Sequence, residues 1–184
     1  MSNLRPYQMA GLSDLRNSFA KGNKRVIMYL PTGGGKTVLA EDIIKKATSK
    51  GKRVAFVCNR IELALQTSRR FHQAGIAHGL MQGENSRQIH SQVMVCSIQT
   101  MARRKAQDFD LIIIDEAHGV AGSTAYRNLM FSLNNVPVVG LTATPFSKGM
   151  AKHYTELGGA LFQDLVVGAT IQDLITDKFL VDVD

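Results

Sequence analysis

An α/β fold with a mostly parallel central sheet is what this chain predicts, and three observations carry the prediction. Short runs of almost pure Val, Ile and Leu recur along it, helix-period stretches lie between them, and Gly or Pro punctuates the joins. A run that is apolar at every position suits a strand buried on both faces, as parallel strands covered by helices are. With 184 residues, 45% hydrophobic and 20% charged, the chain is long enough for one well-packed domain.

Taken in order, Arg25 to Leu30 reads as the first strand and Arg53 to Cys58 as the second. Val93 to Ser97, Asp110 to Asp115 and Val136 to Leu141 follow, with a shorter candidate at Ala77 to Met81. After the first strand, Leu39, Ala40, Ile43, Ile44 and Ala47 recur at helical spacing, and after the second so do Ile61, Ala64, Leu65 and Ser68. Near the end, Thr170 to Asp177 predicts a helix and Phe179 to Val183 the beginning of a strand. There is no internal repeat and no low-complexity linker.

Composition narrows the function classes. No apolar run approaches the length of a membrane span, and the start Met-Ser-Asn-Leu-Arg-Pro lacks the apolar core of a signal peptide, so a soluble, cytoplasmic protein with no membrane partner is expected. Cys58 and Cys96 sit in apolar runs without CxxC or Cys/His spacing and read as buried core thiols. His72, His78, His90 and His153 share no metal-ligand spacing and read as surface or structural residues. A net charge of +7 fits a polyanionic partner, yet solvated lysine faces give the same balance. Lys45, Lys46, Lys50, Lys52 and Arg53 gather around a helix end, where the dipole favours cations.

The chemistry begins at Tyr29-Leu30-Pro31-Thr32-Gly33-Gly34-Gly35-Lys36-Thr37-Val38, where an apolar run empties into three glycines, then Lys-Thr and an amphipathic segment. Glycines let backbone N–H groups converge on a polyphosphate, and the start of the next helix adds aligned dipoles. Lys36 would reach the β- and γ-phosphates and the Thr37 hydroxyl would ligate Mg²⁺. The strict GxxxxGK[ST] pattern has Gly where this chain has Leu30, so a glycine-rich strand-to-helix turn is the competing reading. A second site follows the run Leu111-Ile112-Ile113-Ile114, which ends in Asp115-Glu116-Ala117-His118. Adjacent carboxylates at a strand's carboxyl end fall where a parallel sheet opens its ligand crevice. Asp115 can hold the Mg²⁺ and Glu116 is placed to polarise an attacking water; the competing reading is a solvated acidic turn.

With both sites in place, the chain resembles the first RecA-like lobe of a superfamily-two helicase or translocase of the DEAH-box type, near the branch of restriction-enzyme motors and phage repair helicases. The likeness runs nearly end to end in the family's order. Arg5-Pro6-Tyr7-Gln8 resembles the adenine-recognition motif, Leu30 to Thr37 motif I, and Asn59-Arg60-Ile61-Glu62-Leu63 motif Ia. Ser97-Ile98-Gln99-Thr100 resembles the next nucleic-acid-facing motif, Asp115 to His118 motif II, and Thr142-Ala143-Thr144-Pro145 motif III. The resemblance implies a three-layer RecA-like P-loop domain across residues 1–184 that binds ATP and Mg²⁺ through Arg5, Tyr7, Gln8 and the loop Pro31, Thr32, Gly33, Gly34, Gly35, Lys36 and Thr37. Lys36, Asp115, Glu116 and His118 would act in catalysis, with Thr37 and Asp115 on the metal. Arg60, Gln99, Thr100 and Arg103 would face DNA or RNA, and Thr142 and Thr144 would relay the nucleotide state. The basic run Arg103-Arg104-Lys105 adds a candidate phosphate contact, and Gln8 carries an amide that can pair with N6 and N7 of adenine.

The resemblance also predicts a second RecA-like lobe, in cis in a longer chain or in trans, whose arginine completes the ATP site. Beyond Thr144 these residues offer Lys148, Lys152 and Lys178 but no arginine, so the expectation is a first lobe that turns over poorly alone. Two other classes compete. A small-molecule kinase would share Gly-Lys-Thr without needing Asp-Glu-Ala-His or Thr-Ala-Thr. A non-enzymatic nucleic-acid-binding module would explain the charge and leave the phosphate loop idle.

Overall fold

The structure is a computed structural model and describes residues 4–82, 86–103, 108–120, 123–133, 135–144 and 161–179. The strands are β1 (Arg25–Tyr29), β2 (Val54–Cys58), β3 (Gly79–Met81), β4 (Val93–Ser97), β5 (Leu111–Ile114), β6 (Val138–Thr142) and β7 (Asp164–Val167). The helices are α1 (Pro6–Ala20), α2 (Lys36–Thr48), α3 (Ile61–Gln73), α4 (Ile98–Arg103), α5 (Thr124–Ser132) and α6 (Ile171–Thr176), with a 3-10 turn at Ala117–Val120. The seven strands form one sheet in the order β3-β4-β2-β5-β6-β1-β7, and every neighbouring pair is parallel.

Helices cover both faces, giving the three layers expected. On one face Leu12 and Leu15 of α1, Leu39 and Ile44 of α2 and Phe71 of α3 pack against alternate sheet residues. On the other, Ile98 and Met101 of α4 pack with Tyr126 and Leu129 of α5. β2, β4 and β6 are buried at every residue, which is why their sequences are apolar runs without alternation. The five long strand candidates and the short one all correspond to strands, displaced at their ends by at most two residues. β7 has no counterpart among them.

Local chemistry sets the helix starts. α1 opens with Pro6 in its first turn, where a missing N–H costs nothing, and the Arg5 N–H donates to Gln8 Oε1 at 2.9 Å. α6 opens with a reciprocal cap: Thr170 Oγ1 accepts from the Asp173 N–H, and Asp173 Oδ2 accepts from the Thr170 N–H. The helix expected over Thr170 to Asp177 is therefore present, whereas 180–183 of the expected strand lie outside the described residues and Phe179 follows α6 in a bend.

α3 corrects one expectation. Ile61 and Leu65 are 41% and 37% exposed, while Ala64, Ser68 and Phe71 turn inward. The rotation follows from Ser68, whose hydroxyl lies 2.8 Å from His78 Nε2 and accepts from Arg87 Nη2 at 3.1 Å. His78 is structural, as expected, with Nδ1 2.8 Å from the Ile76 carbonyl. Cys58 and Cys96 are both buried free thiols, and burial pushes each up to about 12. Lys46 pairs with the buried Asp42 at 2.6 Å and Lys52 with Asp110 at 3.0 Å, so these two cations of the α2 end are satisfied within the protein. No helix among the described residues is long and apolar enough to cross a membrane.

Candidate functional site

Because β6 lies between β1 and β5, the loops leaving β1 and β5 at their carboxyl ends flank Thr142, the last residue of β6. The sheet thereby brings the glycine loop and the acidic pair, far apart in sequence, to the two sides of one crevice. The Leu30 N–H continues the ladder to Thr142 O at 3.0 Å. Leu30 itself is fully buried in the core. Its departure from the strict phosphate-loop pattern thus falls at a packing position, and the turn is made further on, at Gly33 and Gly35, with φ of 79° and 78°.

Gly35 caps α2 in the left-handed region, and a Cβ there would run into Gln8 Nε2. The Tyr7 hydroxyl donates to Gly34 O at 3.1 Å, and Gln8 Nε2 donates to Gly34 O at 3.1 Å and Gly35 O at 3.3 Å. A trans peptide holds its N–H opposite its C=O, so carbonyls drawn toward α1 turn the following N–H groups the other way. Gln8 is 2% exposed, and both its amide ends are engaged: Nε2 by the loop, Oε1 by the Arg5 N–H. In this arrangement it braces the loop. Arg5 Nη1 donates to the Tyr7 hydroxyl at 3.0 Å. Lys36 is half-buried in the first turn of α2, its ammonium 3.4 Å from Leu30 O, and Thr37 is half-buried beside it. Thr32 and Gly33 are exposed at the tip, and Pro31 is buried at the base.

Across the crevice, the Asp115 N–H donates to Val57 O at 2.9 Å, keeping Asp115 on the sheet's last rung. The Glu116 N–H donates to Asp115 Oδ1 at 3.1 Å. Glu116 has φ of 50°, a left-handed conformation rare for a residue with a side chain, which turns the chain into the 3-10 turn. Burial pushes the Asp115 carboxyl up from its ordinary value and the charge of Glu116 adds to this, while the hydrogen bond from the Glu116 N–H, then Lys36 and Arg70, oppose it. A half-buried carboxyl whose charge is opposed by burial, with a cation on the facing loop, suits a site that gains a positive charge. His118 Nδ1 lies 3.2 Å from Glu116 Oε2 and 3.3 Å from Thr142 Oγ1. Thr142 Oγ1 also accepts from the Thr144 N–H at 3.0 Å, so His118 and Thr144 meet at one hydroxyl at the end of β6.

The residues expected to face nucleic acid lie at the same sheet end, beyond β5. Arg60, the N-cap of α3, is exposed, and Gln99 Nε2 donates to Asn59 O at 3.0 Å, drawing the loops after β2 and β4 together. Arg103 is exposed at the end of α4. Thr100 is the exception: it is 7% exposed and its hydroxyl accepts from Ser97 at 2.9 Å, so it pins the turn into α4 instead of presenting itself to a ligand. Arg104, Lys105 and Pro145 lie outside the described residues. Two residues near the site escaped the sequence reading. Arg70, at the end of α3, acts on Asp115 at a distance, and Phe179 packs on Arg5 and Tyr7; only the cation at a helix end offered any signal.

Comparison with known proteins bears on the family and the fold. IRC3 of Saccharomyces cerevisiae, named as an ATP-dependent helicase, is 30% identical over 198 residues, covering 96% of this chain and 28% of its own. The crystal structure of the Pyrococcus furiosus Hef helicase domain matches with a TM-score of 0.61 at 26% identity, over 78% of this chain and 34% of that one. A nuclease-deletion mutant of the Type ISP restriction-modification enzyme LlaGI, in complex with a DNA substrate mimic, shares the fold with a TM-score of 0.71 at 16% identity, over 96% of this chain and 21% of that one. The chain thus spans between about a fifth and a third of the length of these proteins. The family model described as Type III restriction enzyme, res subunit, matches residues 1–147. The chain belongs to that family, and its fold is that of a domain of the helicase and restriction-motor ATPase type.

Proposed function

We propose that residues 1–184 form the ATP-binding lobe of a nucleic-acid-dependent ATPase, a helicase or translocase whose second RecA-like lobe lies in a longer chain or a partner. The observation that carries this reading is the meeting of the braced glycine loop and the Asp115–Glu116 pair on either side of Thr142. The N–H groups of the loop and of the first turn of α2 would receive the phosphates of ATP, with Lys36 transferring its ammonium from Leu30 O to the β- and γ-phosphates. Thr37 and Asp115 would hold Mg²⁺, which when bound neutralises charge on the β- and γ-phosphoryl oxygens. Glu116 would orient a water and take its proton as the water oxygen bonds to the γ-phosphorus. The bond from that phosphorus to the β-phosphate oxygen then breaks, releasing ADP and phosphate. His118, shared between Glu116 and Thr142, would tie this step to the end of β6.

Arg60, Gln99 and Arg103 would meet the backbone of DNA or RNA, next to the site along the same sheet end. Opening and closing against the second lobe would convert turnover into movement or remodelling, and an arginine from that lobe would stabilise the transferring phosphoryl group. Such an arginine is worth about 10³–10⁵ in turnover in related enzymes, so the 184 residues alone should hydrolyse ATP slowly.

Calorimetry with Mg·ATP separates the roles. Lys36→Ala should weaken binding by about 2–4 kcal/mol, the scale of a charge-assisted contact in a partly closed site. Glu116→Gln should spare binding and, in a form of the protein with measurable turnover, cut it by about 10²–10⁴. Equal affinity of Lys36→Ala and wild type would defeat the reading of the loop, and full turnover in Glu116→Gln would move the water to another residue.

A further inference from the structure

The last described turn of the chain closes back over the beginning of the first helix. α6 ends in a Schellman arrangement: the Phe179 N–H donates to Leu174 O at 2.7 Å and the Lys178 N–H to Ile175 O at 2.9 Å. Lys178 has φ of 59°, in the left-handed region such a cap requires. The cap delivers the Phe179 ring beneath the Arg5 guanidinium, whose Cζ lies 4.2 Å from the ring centroid. The same ring meets Tyr7 edge-on, with centroids 5.6 Å apart.

The segment bearing Phe179 is anchored at both ends. Leu174 is fully buried in the core. At the joint between β7 and α6, Gly168 fits so closely that a Cβ would lie 2.7 Å from Leu30 Cδ2, at the base of the phosphate loop. Arg5 and Tyr7, which the ring restrains, are the first two members of the chain of hydrogen bonds that reaches Gly34 O. Without a restraint, the long arginine at the N-cap of α1 and the tyrosine in its first turn would sample several rotamers, and the Gly34 carbonyl would lose a fixed donor.

We propose that Phe179 is a positioning residue for the nucleotide site: by fixing Arg5 and Tyr7 it fixes the Gly34 peptide, so docking of the 164–179 segment and nucleotide affinity are coupled. This rests on the nucleotide reading of the loop given above. Coupling of this kind is reciprocal. Whatever pulls on the chain beyond Phe179 changes nucleotide affinity, and nucleotide tightens the docking of α6.

The test is Mg·ATP calorimetry on the full chain, joined to amide hydrogen exchange across 170–179. Phe179→Leu keeps an apolar side chain and removes the π face; it should weaken Mg·ATP binding by about 3- to 10-fold, the scale of one exposed cation–π contact and its aromatic neighbour. Phe179→Tyr should restore affinity to within about 2-fold of wild type, a rescue that simple loss of packing does not predict. Saturating Mg·ATP should slow exchange across 170–179 in wild type and in Phe179→Tyr, and leave it unchanged in Phe179→Leu. Unaltered affinity in Phe179→Leu, with Lys36→Ala still defective, overturns the role of Phe179 alone. Equal weakening in Phe179→Leu and Phe179→Tyr does the same. A wild type that binds no Mg·ATP overturns both this and the reading on which it rests.

Discussion

Replacing Gly35 by alanine tests whether the glycine loop is built as described, through stability alone and without any ligand. Two costs follow from the structure. The residue sits at φ of 78°, where a side chain costs about 1–2 kcal/mol. Its new Cβ would also fall on Gln8 Nε2, which must withdraw from Gly34 O and Gly35 O. Each hydrogen bond contributes about 0.5–1.5 kcal/mol net, so Gly35→Ala should destabilise by about 2–5 kcal/mol. Gln8→Ala removes the same two bonds, and the one its Oε1 accepts from the Arg5 N–H, without the backbone strain, and should cost about 1.5–4.5 kcal/mol. In the double variant those bonds are lost only once and the collision is gone. The sum of the two single effects should therefore exceed the double effect by about 1–3 kcal/mol. Urea denaturation of the four proteins measures the cycle. Additive effects, or a Gly35→Ala cost below about 0.5 kcal/mol, would show that Gln8 does not brace the loop.

Asp115→Asn should raise the denaturation midpoint of the metal-free protein while abolishing the dependence of ATP affinity on Mg²⁺, because burial opposes the Asp115 charge. The sign with pH follows. Its folded pKa lies above the unfolded value, so the folded state holds the proton more tightly, and metal-free wild type should lose stability relative to Asp115→Asn as pH rises through that window; parallel pH profiles would count against it. Asp173 is shifted the other way, chiefly by the Thr170 N–H and then its hydroxyl, so the α6 cap should hold above the ordinary carboxylate pKa and fail as pH falls through the depressed one. Hydrogen exchange across 170–179 should quicken on acidification, and an unchanged rate would refute the cap. Cys58 and Cys96, with thiols pushed up to about 12, should resist alkylation at pH 8 in the native protein and react together in urea; rapid native labelling would contradict their burial. If the lobe meets about two to four backbone phosphates, log affinity for unrelated oligonucleotides should fall with log salt at a slope of about −2 to −3, and Arg60→Ala should flatten it by about one. Anisotropy titrations would expose salt-independent or single-sequence binding.

What the sequence discloses and what it hides divide along physical lines. β1, β2, β4, β5 and β6 are legible because a strand covered on both faces has no reason to alternate. β7 is not: it has four residues at the sheet edge, and Val167 is half exposed, so its pattern resembles a loop. α1 escapes periodicity because Gln8, Gly11 and Ser18 share its buried face with Leu12 and Leu15. α3 misleads because Ser68 faces inward through hydrogen bonds while Ile61 and Leu65 face solvent. In the candidate site, the placing of Lys36 and Asp115 at the carboxyl ends of β1 and β5 is legible because it is local to a turn. The service of Gln8 to Gly34 and Gly35, and the placement of Phe179 against Arg5, depend on the packing of elements far apart in sequence, and no local pattern records them.

The position of β6 between β1 and β5 makes the sheet a gauge. Neighbouring strands stand about 4.7–4.9 Å apart, so the glycine loop and the acidic pair begin about 9–10 Å from one another. That width is fixed by two ladders of backbone hydrogen bonds, and side-chain substitution cannot alter it without breaking them. The crevice is therefore a jaw whose span is constant and whose only adjustable parts are its lips. Chemical variety among chains built this way must come from what is hung on the loops, and in the motor proposed above any stroke would come from a second body moving against this rigid one.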